Sequence, residues 1–185
     1  MVEKGLCKIN QDESDKWWIL GRDLLEKNGF AQYEVSNFCK AGCESRHNLC
    51  YWQMQNYIGI GAGATGTVAN LRYTNTTNIE KYVQFFRDFR ENSEIADFSH
   101  LAQIEEIENL DRETQIFEFL MMGFRLLDGP NAEDFYSRFG ENIENYVKEP
   151  LSRWQKKNLA VCTENKYALN QQGLLLLNSF MQELF

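Results

Sequence analysis

The chain has 185 residues, 43% of them hydrophobic and 25% charged, which supplies a real core and excludes a wholly disordered polypeptide. Its formal net charge of −8 is concentrated in residues 91–118, where nine acidic side chains face a single basic one, Arg112; the flanking segments are near neutral. A chain with no basic face lacks the phosphate-neutralising charge behind nucleic-acid binding and has no attraction to anionic lipid. Five cysteines are an odd number, the N-terminal residues lack an apolar signal core, and no run approaches the ~18 apolar residues of a membrane span. These features predict a cytoplasmic protein without a disulfide framework.

In chain order, Trp17, Trp18, Leu20, Gly21, Leu24 and Leu25 recur at helical spacing, with Asp12 or Ser14 as a cap and Asn28-Gly29 as the stop. Phe30 to Phe38 reads as one strand, so the opening is a helix, glycine turn and strand of α/β type. Residues 39–48 read as a loop, and Leu49–Ile60 as a buried aromatic and apolar segment. A glycine cluster spans Gly59 to Gly66. Ile79, Tyr82, Val83, Phe86 and Phe89 mark a helix capped near Thr77 or Asn78. The acidic stretch that follows shows little periodicity, and a domain boundary is expected there.

From Asp111, a candidate N-cap, the stripe Ile116, Phe117, Leu120, Met121, Phe124 and Leu127 predicts a core-facing helix that stops at Gly129-Pro130. Asn131 to Asp134 resembles a capping box opening a helix with Phe135 and Phe139, closed by Gly140. Ile143, Tyr146, Val147, Leu151 and Trp154 form a third helix, bent or split at Pro150. A hairpin around Glu164-Asn165 and a terminal helix bearing Leu174, Leu177, Met181 and Leu184 complete a winged-helix-like outline.

Three groups of residues carry candidate chemistry. Gly61-x-Gly63-x-x-Gly66 matches the dinucleotide-binding expression, with Glu80 near the ribose-binding offset, but Thr67 to Tyr73 looks extended where that motif must open a helix. A close backbone approach, to another part of the chain or to a ligand, is the better reading. Cys39, Cys43, His47 and Cys50 form a possible zinc set, although the spacing departs from paired knuckles and free thiols are the simpler reading. The same spacing does not fit the C-x3-C-x2-C of a radical-SAM cluster. His47 and His100 are the acid–base candidates near neutral pH. His47, beside Tyr51 and Trp52, is either a hydrogen-bonded structural histidine or a haem or metal ligand between aromatic walls.

The runs Tyr33-Glu-Val-Ser-Asn-Phe38, Glu44-Ser-Arg-His-Asn-Leu49, Tyr51-Trp52 and Tyr57-Ile-Gly-Ile-Gly-Ala-Gly-Ala64 resemble the oxygen-independent coproporphyrinogen III oxidase-like radical-SAM proteins, in their haem-chaperone branch. His47, Asn48, Tyr51 and Trp52 match the branch's His-Asn-x-x-Tyr-Trp run, associated with haem binding. Gly123 to Leu127, Asp134-Phe135, Arg138 to Gly140 and Gly173 to Leu176 look like the family's C-terminal domain.

The resemblance implies an α+β chain: an α/β barrel remnant over residues 1–75, a helix and acidic connection over 76–110, and a mainly helical, winged-helix-like domain over 111–185. It implies haem or porphyrin as ligand, with His47 on the iron, and places Leu49, Cys50 and Thr65 on one wall of an S-adenosylmethionine site. Thr65 stands where the branch usually has histidine. The family's [4Fe–4S] motif and glycine-rich cofactor motif are not in this sequence, so the chain is expected to be a truncated or split member, inactive in radical chemistry by itself. A separate barrel chain is then an expected partner, and an open strand edge around 30–38 an expected site of self-association. The alternatives are a winged-helix interaction module or a remnant that oligomerises.

Overall fold

The computed structural model describes residues 11–91, 104–163 and 166–185. His100, the first part of the acidic stretch and the Glu164-Asn165 turn lie outside them. The architecture mixes helices with short antiparallel strands, as expected of an α+β chain, and divides into two compact units: Met1–Leu49 with Gly123–Phe185, and Cys50–Met122. No helix among the described residues is long and apolar enough to cross a membrane.

In the first unit, α1 (Gln11–Lys27) ends where the sequence says it should. Gly29 adopts φ 82°, and Gly29 N and Phe30 N donate to Glu26 O and Leu25 O at 3.0 Å, closing the helix in a Schellman motif. The single strand expected over 30–38 is instead two short strands. β1 (Ala31–Gln32) and β2 (Phe38–Cys39) pair antiparallel, with Ala31 opposite Cys39. The chain folds back because Tyr33 N donates to Asn37 O at 3.2 Å and Asn37 Nδ2 donates to the carboxylate of Glu34, itself 1% exposed.

The segment between these strands is also paired with distant chain. Val35 N donates to Arg125 O at 2.9 Å, and Leu127 N donates to Tyr33 O at 3.1 Å. Pairing on β2 and on residues 125–127 therefore takes up backbone groups that a fully open edge would leave free.

The rest of this unit comprises α5 (Ala132–Phe139), α6 (Glu144–Lys156), the hairpin β6 (Ala160–Thr163) and β7 (Lys166–Leu169), then α7 (Gln171–Leu175) and α8 (Leu177–Leu184). Asn131 caps α5 by accepting from Asp134 N at 2.9 Å, and Gly140 closes it at φ 68°. Pro150 does not split α6. It forfeits one helical hydrogen bond, but Val147, Leu151 and Trp154 on its face are at most 2% exposed, and their burial holds the helix together. The expected terminal helix is two, divided at Leu176 (φ −110°, ψ 20°). Phe180 sits edge-on to both Phe124 and Trp154, with ring centroids 4.8 and 5.1 Å away, at the centre of the core.

The second unit is built on a three-stranded antiparallel sheet in the order β3 (Thr65–Val68), β4 (Leu71–Asn75), β5 (Ile104–Asn109), with α3 (Ile79–Glu91) and α4 (Arg112–Gly123). The strand β5 lies inside the acidic stretch read as a connection. Five of its six residues are exposed, so it carries no alternating apolar signal. Its Glu108 meets Arg72 of β4 at 3.0 Å, and Glu118 of α4 meets the same guanidinium at 2.5 Å. The Glu118 hydrogen bond, with both carboxylate charges, raises the Arg72 pKa above its ordinary value. Asp111 caps α4, accepting from Thr114 N at 2.8 Å.

A histidine and aromatic helix beside a glycine loop

Six of the seven candidate cofactor residues lie on one short helix, α2 (Arg46–Trp52), which the sequence reading left as loop and buried segment. The division between the two units falls inside it, between Leu49 and Cys50. Ser45 opens the helix: Leu49 N donates to Ser45 O at 3.0 Å, and Asn48 N reaches Ser45 Oγ at 3.4 Å. Met54 closes it in the left-handed region at φ 51°, with Met54 N bonded to Tyr51 O and Gln55 N to Cys50 O. Helical spacing places His47 and Tyr51 on one face and Asn48 and Trp52 on the next.

His47 is exposed, whereas Asn48, Leu49, Cys50, Tyr51 and Trp52 are half-buried. No residue of α2 is fully buried, and Ile58 and Ile60 beyond it are 67% and 85% exposed, which corrects the reading of 49–60 as a buried segment. The ring of Tyr51 packs edge-on against Tyr57 at 4.8 Å. Tyr57 in turn exchanges two backbone hydrogen bonds of 2.9 Å with Thr67 of β3. The seventh candidate, Thr65, begins that strand and shares a 3.1 Å hydroxyl contact with Thr74 across the ladder.

The glycine loop is held by the chain itself. Tyr73 stands opposite Gly66 in the ladder, and its hydroxyl accepts from Gly59 N at 3.0 Å. Asn75, 2% exposed, donates to Gly59 O at 3.1 Å and Gly61 O at 3.0 Å. The Tyr82 hydroxyl accepts from Gly61 N at 2.9 Å. An extended strand follows the loop, not a helix, so it forms no dinucleotide-binding turn. In the sequence Tyr82 stands only as part of a helix stripe, and Tyr73 and Asn75 have no assigned role at the loop; the available signal was a tyrosine able to pair across a ladder with a glycine.

Among the described residues the cysteines do not assemble a metal centre. Among the described residues no group of three or more His, Cys, Asp or Glu could hold an ion. Cys39 is buried, Cys43 exposed and Cys50 half-buried. Burial, with Glu44 and Cys43 nearby, raises the Cys39 pKa above its ordinary value. An iron–sulfur cluster does not fit these residues.

Comparison with known proteins bears on the same residues. Residues 110–176 match the model of the HemN C-terminal domain. Over 96% of its length the chain is 29% identical to the heme chaperone HemW of Bacillus subtilis, and over 92% it is 30% identical to HemW of Escherichia coli. The solved structure of coproporphyrinogen III oxidase (HemN) from Escherichia coli, a radical SAM enzyme, superposes with a TM-score of 0.61 over 94% of this chain at 11% identity. The chain is HemW/HemN-like. It spans 44% of the Bacillus subtilis protein, 43% of the Escherichia coli HemW and 41% of the HemN chain.

Proposed function

We propose that the chain is a haem-binding, HemW-like protein that docks haem against the face of α2. The observation that carries this reading is the exposed imidazole of His47 one helical turn from the half-buried ring of Tyr51. The imidazole of His47 would hold the haem iron, and Tyr51 and Trp52 would offer aromatic walls, with Asn48 beside them. Bound haem would supply an iron centre. The chain's own part is to present the ligand and exclude water with the two aromatic side chains. That the relatives from Bacillus subtilis and Escherichia coli are heme chaperones supports the same reading.

In this proposal residues 1–75 derive from a radical-SAM barrel, 76–110 connect, and 111–185 form a winged-helix-like C-terminal domain. Leu49, Cys50 and Thr65 would line one wall of an S-adenosylmethionine site that the rest of such a barrel completes, and the [4Fe–4S] cluster would lie in that remainder.

Titration of hemin into the wild type and His47→Ala tests the reading. The wild type should give a Soret shift that saturates near one equivalent, and the variant should lose it. Identical spectra for the two proteins would overturn the ligand role.

A further inference from the structure

Two thiols of the cysteine cluster lie at one turn of the first unit. Cys39 ends β2, paired across from Ala31, and Cys43 closes the turn that follows, its amide donating to Lys40 O at 2.9 Å. Gly42 takes φ 75° there, the positive φ that glycine supplies at the third position of a turn. The Cys43 amide also donates to the Cys39 sulfur, and the Cys39 thiol donates to the Glu44 carboxylate. An amide nitrogen is two bonds from its own Cβ, so the χ1 rotamers of Cys43 swing its sulfur around the point where the Cys39 sulfur is held.

The two sulfurs differ in access: Cys43 is exposed and Cys39 is buried. An exposed thiolate attacks a small disulfide from solvent, whereas a buried thiol reacts with what stands beside it. The short chain between them gives Cys39 a high effective concentration at Cys43, above that of thiols in solution. A bridge here closes a short loop, which constrains the unfolded chain little. With one sulfur at the surface, it belongs with the labile, reducible disulfides.

We propose that Cys39 and Cys43 are a reversible dithiol–disulfide pair, a modification site oxidised by small disulfides such as glutathione disulfide. Cys43 Sγ, as thiolate, attacks one sulfur of glutathione disulfide. The new S–S bond joins Cys43 to one glutathione, and the other leaves as thiolate and takes up the proton that Cys43 gave. Cys39 Sγ then attacks Cys43 Sγ, and its proton passes by Glu44 and water to the second departing glutathione. Two protein thiols are thereby oxidised to one disulfide, and one glutathione disulfide is reduced to two glutathiones. The bridge ties the end of β2 to the turn two residues before Ser45, which opens α2.

Peptide mapping tests this. The reduced full chain is incubated with glutathione disulfide, remaining thiols are alkylated in urea, and the masses of tryptic peptides are measured. Lys40 lies between the two cysteines, so the bridge joins residues 28–40 to 41–46 in one species lighter by two hydrogens. Wild type should convert to that species and return to thiols with excess reduced glutathione. Cys39→Ser should stop with glutathione on Cys43. Cys43→Ser, which removes the exposed entry thiol, should slow oxidation of Cys39 at least about tenfold.

A wild-type chain that stops with glutathione on Cys43 and an alkylated Cys39 would overturn the proposal. So would a bridge from Cys43 to Cys7, Cys50 or Cys162, or Cys39 oxidised equally fast in Cys43→Ser. If Cys39→Ser fails to fold, wild type and Cys43→Ser decide by the same criteria. The haem reading stands or falls separately, since hemin is absent throughout.

Discussion

The ring of Tyr73 occupies the space over Gly66, its partner across β3 and β4, so that a Cβ at position 66 would fall on the phenol carbons and hydroxyl. Tyr73 is 3% exposed, and its hydroxyl holds Gly59, so it has little room to move aside. Gly66→Ala should therefore destabilise the protein by about 2–3 kcal/mol through overpacking. Urea unfolding followed by tryptophan fluorescence measures this. An unchanged midpoint would contradict the packing described for the loop.

Met54 ends α2 in a conformation that costs an L-residue roughly 1 kcal/mol and glycine almost nothing. Met54→Gly should raise stability by up to about 1 kcal/mol and leave the hemin titration as in the wild type. A loss of stability would mean that the Met54 side chain contributes more packing than its backbone costs.

Two carboxylates set a pH dependence. Hydrogen bonds from Thr114 hold the Asp111 pKa below its ordinary value, and those from Tyr167 and Lys148 do the same for Glu144. A depressed folded-state pKa means stability that is complete above the unfolded value and lost as pH falls through the folded one. Stability should therefore decline on acidification below the ordinary carboxylate range of about 4. Asp111→Asn, which keeps a capping acceptor without the titration, should flatten that decline in melts across pH 2–7. Curves parallel to wild type would count against the cap's role.

Glu118 is 13% exposed at its side chain and meets an Arg72 that is 30% exposed. Glu118→Gln keeps an acceptor but removes the charge, and should cost about 1–2 kcal/mol, the scale of a hydrogen bond to a charged group. Guanidinium-free thermal unfolding at low and high salt reads it. The difference between variant and wild type should shrink as salt rises.

Much of the first unit was legible because its signals are local. Gly29, Asn131 and Gly140 start or stop helices through their own backbone and side-chain chemistry, and Phe124 and Phe135 are fully buried as their periodicity requires. The fold-back at 33–37 was not legible, because it depends on the buried Glu34 carboxylate and on pairing with residues some ninety positions away. β5 was hidden because its residues are mostly solvent-facing and acidic. At the site, the His-Asn-x-x-Tyr-Trp run marked the right residues, but the helix carrying them has no buried stripe to betray it.

The hydrogen bond from Val35 to Arg125 has a kinetic meaning. It closes a unit whose two segments are separated in sequence by the whole of Cys50–Met122. During synthesis, residues 31–39 must wait for that nested unit to leave the ribosome before their later partners exist. Non-local closure of this kind slows folding. The early-made segment passes that interval without its later partners, when it is most open to capture by a chaperone or by its own kind.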